Sequence, residues 1–172
     1  MNHPRVLTIQ DISCVGRCSL TVALPIISAC GLETAVLPFE PLYFEQGLML
    51  QTQIEPRLAV TGNEAQLRQV AEILLDNARK YSTPGGVVRL TRRSQGRQAV
   101  LALESPGQPL TPDQCRDIFR RFYRVDEARS RDGSYGLGLS IAQRVVEEHG
   151  GKIWAESAGG VNTFFVQLPE NG

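Results

Sequence analysis

Between Glu64 and Tyr81 the chain reads EAQLRQVAEILLDNARKY, with apolar side chains at 67, 70, 71, 74, 75 and 78. That spacing predicts a helix with one buried stripe, and such a stripe must be covered by another layer of structure. The neighbouring segments say which layer. VVRLTRR and QAVLALES predict a hairpin turning around Ser94–Arg97, and KIWAES and NTFFVQLP predict two further strands. GLMLQTQIE and LAVTG predict short strands before the helix. Asn63 is a credible N-cap, STPGG ends the helix, and a second amphipathic helix is predicted over 137–149. TPDQCRDIFRRF predicts a short capped helix, with Thr111 as the cap, Pro112 at the first helical position and Asp113 in the first turn. Helices mixed with a largely antiparallel sheet make an α+β two-layer sandwich.

A second feature is GSYGLGLSIAQRVVEEHGGKIW, residues 133–154, where glycines at 133, 136 and 138 run straight into the second helix. Glycine costs a helix or strand about 0.5–1 kcal/mol against alanine, so the cluster suggests backbone that something must approach closely. A helix N-terminus offers unpaired N–H groups and the positive end of a dipole, which suits an anion. On these residues alone, an ordinary loop before a helix reads equally well. The polar stretch YRVDEARSRDGSY before it is of the kind that forms a lid.

Charge narrows the function classes. Eighteen basic residues balance eighteen acidic ones, so no bulk field points to nucleic acid or to an acidic membrane surface. Cys14, Cys18, Cys30 and Cys115 show no metal-ligand pairing with histidine, and read as free thiols of a reducing cytosol. The longest apolar run, Ser19–Cys30, is too short to span a bilayer. With Arg17 and ISAC it mimics a lipoprotein signal, but Asp11 and the strand-like RVLTI precede it, where a signal peptide wants a short basic start. A cytoplasmic location is the expectation. Residues 5–37 otherwise predict strand, glycine turn, apolar helix and strand, one βαβ unit.

LLDNARKYS (74–82), IFRRFYRVDEARSR (118–131), GLGLSIA (136–142), HGGKIWAES (149–157) and GGVNTFFVQLP (159–169) resemble, in this order, the catalytic domain of bacterial sensor histidine kinases, in the GHKL ATPase group. The resemblance covers about 37–170. It implies an α/β sandwich that binds Mg²⁺ and ATP beneath a flexible lid. Residues 1–38 are similar instead to the N-terminal βαβ of pyridoxal or pyridoxamine kinases, of the ribokinase-like group. The expected organisation is thus a chimera: a ribokinase-like βαβ fragment over 1–38 and an ATP-binding catalytic domain over 39–172. Ser13 would represent the fragment's substrate-side loop, without a phosphate-donor site.

By the same resemblance, Asn77 is the metal-binding asparagine, its amide oxygen suited to Mg²⁺, which prefers oxygen ligands and keeps waters beside phosphates. Read alone, Asn77 is more simply a solvated helix asparagine. Lys80 and Tyr81, one turn on, would meet phosphate and nucleotide. Ile73 stands where the family often has another asparagine, removing one polar partner of the metal. In ESPGQPL (104–110), Ser105 and Gly107 take the place of the adenine-reading loop, and Pro109 replaces its second glycine. Ser105 stands where the family carries an aspartate or asparagine, so the acceptor is neutral and the bond weaker. Arg124 and Arg129 resemble the phosphate-contacting lid residues, Arg131 reads also as a surface charge, and Phe122 and Tyr123 flank the lid. Gly136, Leu137, Gly138 and Leu139 would bring backbone N–H groups to the polyphosphate. Thr163 resembles a family threonine near the nucleotide.

The chain has two histidines. His149, before two glycines, reads as an imidazolium at a helix C-terminus, favoured by the dipole, with the glycines forming the cap. His3 lies near the N-terminus. No residue resembles the phosphoacceptor, so no catalytic side chain is assigned, and a histidine-bearing dimerisation domain or a response-regulator system would be engaged in trans. Three functions compete: a catalytic domain serving that histidine, a non-catalytic module whose lid responds to nucleotide, and a pyridoxal kinase remnant. The apolar helix of 1–38 also predicts docking or self-association.

Overall fold

The computed structural model describes residue 43 and residues 45–54, 60–125 and 135–170. The βαβ predicted over 1–38, with Ser13 and His3, lies outside the described residues, as do Arg129, Arg131 and Gly133. Among the described residues eight elements follow in order: β1 Met49–Ile54, α1 Glu64–Tyr81, β2 Val87–Gln95, β3 Gln98–Pro106, α2 Pro112–Asp117, α3 Gly138–Glu148, β4 Lys152–Ala158 and β5 Val161–Pro169. They build one five-stranded sheet in the order β1-β2-β3-β5-β4. Among the described strands only β1 and β2 run parallel, and α1 supplies the crossover that a parallel neighbour requires. The other pairs are antiparallel.

The helical stripe read from the sequence is the stripe that packs. Leu67, Val70, Leu74, Leu75 and Ala78 of α1 are buried, as are Ala142, Val145 and Val146 of α3. The two helices lie against each other and against β3, β4 and β5. Alternate strand residues face them: Val88 and Leu90, Ala99, Leu101 and Leu103, and Phe164, Val166 and Leu168. Leu74 and Leu75 are fully enclosed, and each such side chain contributes about 1.5–3 kcal/mol through burial. Before β1, Tyr43 is buried and its hydroxyl donates to the Leu75 carbonyl at 2.8 Å. Burial pushes that phenol well above its ordinary titration range.

Local signals set the element ends. Asn63 caps α1, its Oδ1 accepting from the Gln66 N–H at 3.2 Å. Thr111 and Gln114 form a reciprocal capping box at α2. The strand expected at LAVTG is not formed in its described part, where Val60 makes a single bridge to Glu170. No helix among the described residues is long and apolar enough to cross a membrane.

Candidate functional site

The end of α1 and the end of β3 are drawn together by backbone. Ser82 pairs with Gly107 in an isolated bridge, the Thr83 N–H donates to the Pro106 carbonyl at 2.8 Å, and the Gly107 N–H to the Gly160 carbonyl at 3.0 Å. Gly107 permits this approach, because a Cβ there would lie 2.7 Å from the Tyr81 carbonyl oxygen. Opposite them, the Phe122 N–H donates to the Gly136 carbonyl at 3.0 Å, tying the segment after α2 to the start of α3. Phe122 has φ +64° and Gly136 φ +67°, so both sit in left-handed backbone that a bulky residue adopts only when neighbours hold it.

Residues next to these junctions line a cavity of about 120 Å³ that opens to the surface. Asn77, Tyr81, Ser105, Arg124 and Leu139 all stand on its wall, so five of the residues read from the sequence meet in one place. Leu110, Ile118, Val125 and Phe164 give the cavity an apolar lining. Asn77 Nδ2 is buried and finds no hydrogen-bond partner among the described residues. A buried polar atom left unpaired costs about 1–3 kcal/mol, so this carboxamide is suited to a polar visitor.

The start of α3 borders the same wall through Leu139. Leu137 occupies the N-cap with no side-chain bond to the helix, and no acidic residue lies in the first turn. The helix's own first turn therefore supplies no charge against the dipole's positive end. Gly138 packs on Ile73, since a Cβ added there would stand 3.3 Å from Ile73 Cγ2.

Of the other predicted residues, Gly107, Gly136, Leu137 and Gly138 lie beside or near lining residues in sequence without lining the cavity, and Lys80 and Thr163 are engaged elsewhere. Lys80 Nζ pairs with Asp76 Oδ2 at 2.6 Å, and Arg79 bonds the other oxygen at 2.8 Å. Burial works against the charge on Asp76, yet these hydrogen bonds hold its carboxyl below the usual carboxylate range. Lys80 is thus engaged along α1 and does not line the cavity. Thr163 lies on the opposite face of the sheet, in register between Glu104 and Glu156. Its neighbour Asn162 takes the cavity position instead. The signal was available: burial alternates back from Leu168 through Val166 and Phe164 to Asn162. Gln108, on the same wall, had no comparable signal.

His149 is also corrected. Its Nδ1 bonds the Val145 carbonyl at 2.7 Å and its Nε2 accepts from the Asn63 N–H at 2.9 Å. An accepting Nε2 carries no proton, so this is a neutral imidazole pinning the start of α1 to the end of α3. Gly150 follows with φ +70°, as the predicted cap requires.

Among the described residues no group of three or more histidine, cysteine, aspartate or glutamate side chains is placed to hold a metal. A divalent ion here would take Asn77 from the protein and draw its remaining oxygens from phosphate and water. That is the way Mg²⁺ is commonly bound beside nucleotides.

Residues 62–172 match the family model described as "Histidine kinase-, DNA gyrase B-, and HSP90-like ATPase". The sensor histidine kinase RppB of Synechocystis is 44% identical over 110 residues, covering 63% of this chain and 24% of RppB. The sensor protein DltS of Streptococcus agalactiae is 32% identical over 140 residues, 81% of this chain and 35% of DltS. The chain thus spans about a quarter to a third of these relatives. Among solved structures, the mycobacterial sensor histidine kinase MprB superposes with TM-score 0.69 at 27% identity, over 77% of this chain and 91% of that one.

Proposed function

We propose, from the premise that this chain belongs to the histidine kinase-, DNA gyrase B- and HSP90-like ATPase family, that its cleft holds Mg·ATP for phosphoryl transfer to a histidine on a separate element. The chain is an ATP-binding catalytic domain of the sensor histidine kinase type. The observation that carries the proposal is the convergence of Asn77, Ser105, Arg124 and Leu139, from four separate segments, on one apolar cavity. In this reading the base lies between the apolar side chains against Ser105, and the phosphates reach Arg124 and the N–H groups of Gly138 and Leu139. Asn77 is the protein's ligand to Mg²⁺, which neutralises phosphate charge. Arginine recognises phosphate oxygens bidentately, and such transfer depends mostly on positioning and charge stabilisation.

The acceptor is sought elsewhere because both nitrogens of His149 are already committed. A sensor-kinase partner carrying a histidine, upstream of a response regulator, has the required chemistry. Titration of the full chain with ATP in Mg²⁺ tests the reading, with saturable binding well below about 1 mM expected. Binding weaker than that leaves no useful nucleotide site. Base-stable self-phosphorylation is not expected, and neither is transfer to vitamin B6. A second reading, a nucleotide-dependent interaction module without transfer, is favoured by Ile73, which sets a methyl group against Gly138 where a polar partner of the metal was expected.

A further inference from the structure

The sheet has a second face, turned away from the cavity. α1 and α3 both pack on the other one, and successive side chains of a strand point to opposite faces. On the outward face Met49 of β1 stands opposite Val87 of β2, and the two are 58% and 40% exposed. Four residues on from Val87, the registers run from Thr91 to Ala102, Phe165 and Trp154 across β3, β5 and β4. The rings of Phe165 and Trp154 are stacked, with centroids 4.9 Å apart and planes 13° from parallel. Both side chains are half-buried, so neither is sealed by the strands alone. The polar groups between and beside these rows are matched to one another. Arg89 pairs with Glu104 at 3.2 Å, Lys152 Nζ lies 5.2 Å from the centre of the Trp154 ring, and Trp154 Nε1 donates to Glu156 Oε1 at 2.9 Å. Apolar rows set among self-paired charges suit an occupant that is apolar and carries no charge of its own.

We propose that residues 19–30 of this chain, which lie outside the described residues, dock on this outward face, from Met49 and Val87 to the Phe165–Trp154 pair. The segment has the required chemistry: it reads SLTVALPIISAC, without a charged side chain. A helix that is apolar nearly all round, as the sequence predicts there, needs cover on more than one side. The chain also arrives at the right margin. The Leu48 N–H donates to the Tyr43 carbonyl at 2.8 Å and the Met49 N–H to the Gly86 carbonyl at 3.0 Å, so residues 43–48 turn tightly into β1, the strand that borders this face. Thirteen residues lead from Cys30 to Tyr43. At about 3.3–3.6 Å each they reach about 43–47 Å, whereas five strands about 4.8 Å apart are only about 19 Å across. A second copy docked face to face would cover the sheet and leave residues 19–30 bare. A tethered segment also competes at an effective concentration on the order of millimolar, which favours it over any partner at micromolar protein. Docking here is independent of what the cleft binds.

Trp154 is the chain's one tryptophan, so its fluorescence reports on this face. The test measures emission and acrylamide quenching of the full chain over a range of protein concentrations, alongside two variants that keep the native far-UV dichroism. Ile26→Asp puts a charge into the segment, and an unpaired charge is not held against an apolar surface. It should move Trp154 emission to the red and raise the quenching constant. Val87→Asp charges the face itself, three strands away from Trp154, and should shift both readings the same way. A change that remote reaches the indole only through whatever spans the two. Native protection should not vary with protein concentration. Quenching unchanged in either variant overturns the proposal. Protection that grows with protein concentration also overturns it, because a second copy would then be the cover. If Ile26→Asp does not fold, Val87→Asp and the native concentration series decide.

Discussion

Replacing Gly136 by alanine probes the junction on which the cavity depends. The residue has φ +67°, where an alanine costs about 1–2 kcal/mol. The new methyl would also stand 2.9 Å from the Tyr123 carbonyl oxygen and 3.1 Å from the Phe122 carbonyl carbon. Both neighbours are backbone, so relief requires the turn itself to move, and overpacking of this kind costs about 1–3 kcal/mol. The sum is about 2–5 kcal/mol. Gly96, in the β2–β3 turn, separates the two contributions: its φ is +70°, but an added methyl meets nothing within 4 Å. Gly96→Ala should therefore cost only about 1–2 kcal/mol. Urea unfolding of both variants gives the difference, and ATP titration shows whether displacing the turn also displaces Arg124. If the two variants lose equal stability, the close approach carries no weight. If Gly136→Ala binds ATP like the native chain, the junction does not organise the site.

Other outcomes follow from the same geometry. Arg124→Ala should weaken ATP by about tenfold or more, as expected for a lost charge-assisted bond, while AMP affinity and the unfolding midpoint stay unchanged; parallel loss of AMP would refute phosphate contact. His149→Ala removes two hydrogen bonds and orphans the Asn63 N–H. It should cost about 1–3 kcal/mol in urea unfolding, and an unaltered midpoint would remove the pin between α1 and α3. The depressed carboxyl of Asp76 contributes stability that is present above the unfolded carboxylate value near pH ~3.9 and is lost as pH falls through the lower folded value. Native protein should therefore exceed Asp76→Asn by under about 1 kcal/mol above that range, with the gap closing below it; a gap that persists in acid would contradict the assignment. Deleting residues 1–36 should change solubility or oligomeric state, as sedimentation would report, if the apolar helix predicted there docks or self-associates.

The parts legible in the sequence were those governed by local periodicity and capping. α1 announces itself through Leu67, Val70, Leu74 and Leu75 and through Asn63, because a helix face and a cap are decided within a few residues. The Thr111 capping box is likewise local. Face assignment on β5 was not secured, since the resemblance selected Thr163 while the alternation from Leu168 selects Asn162. Lys80 shows a different limit. Whether a helical lysine reaches a phosphate or an aspartate one turn back depends on competing partners, and Asp76 is placed to capture it. His149 looked cationic from its position alone, but its tautomer depends on Asn63, whose N–H arrives from the far end of another helix.

Tyr43 and β1 lie ahead of the stretch that matches the family model, which starts at residue 62. Yet Tyr43 is sealed against α1, and β1 closes the ladder of β2. A fragment trimmed to the matched boundary would bare the β2 margin, from Val87 to Arg92, as a row of open peptide groups beside the uncovered Leu75. Unsheathed margins of that sort recruit other chains. Expression work should therefore begin upstream of Tyr43, since the fold's frontier precedes the stretch by which relatives are recognised.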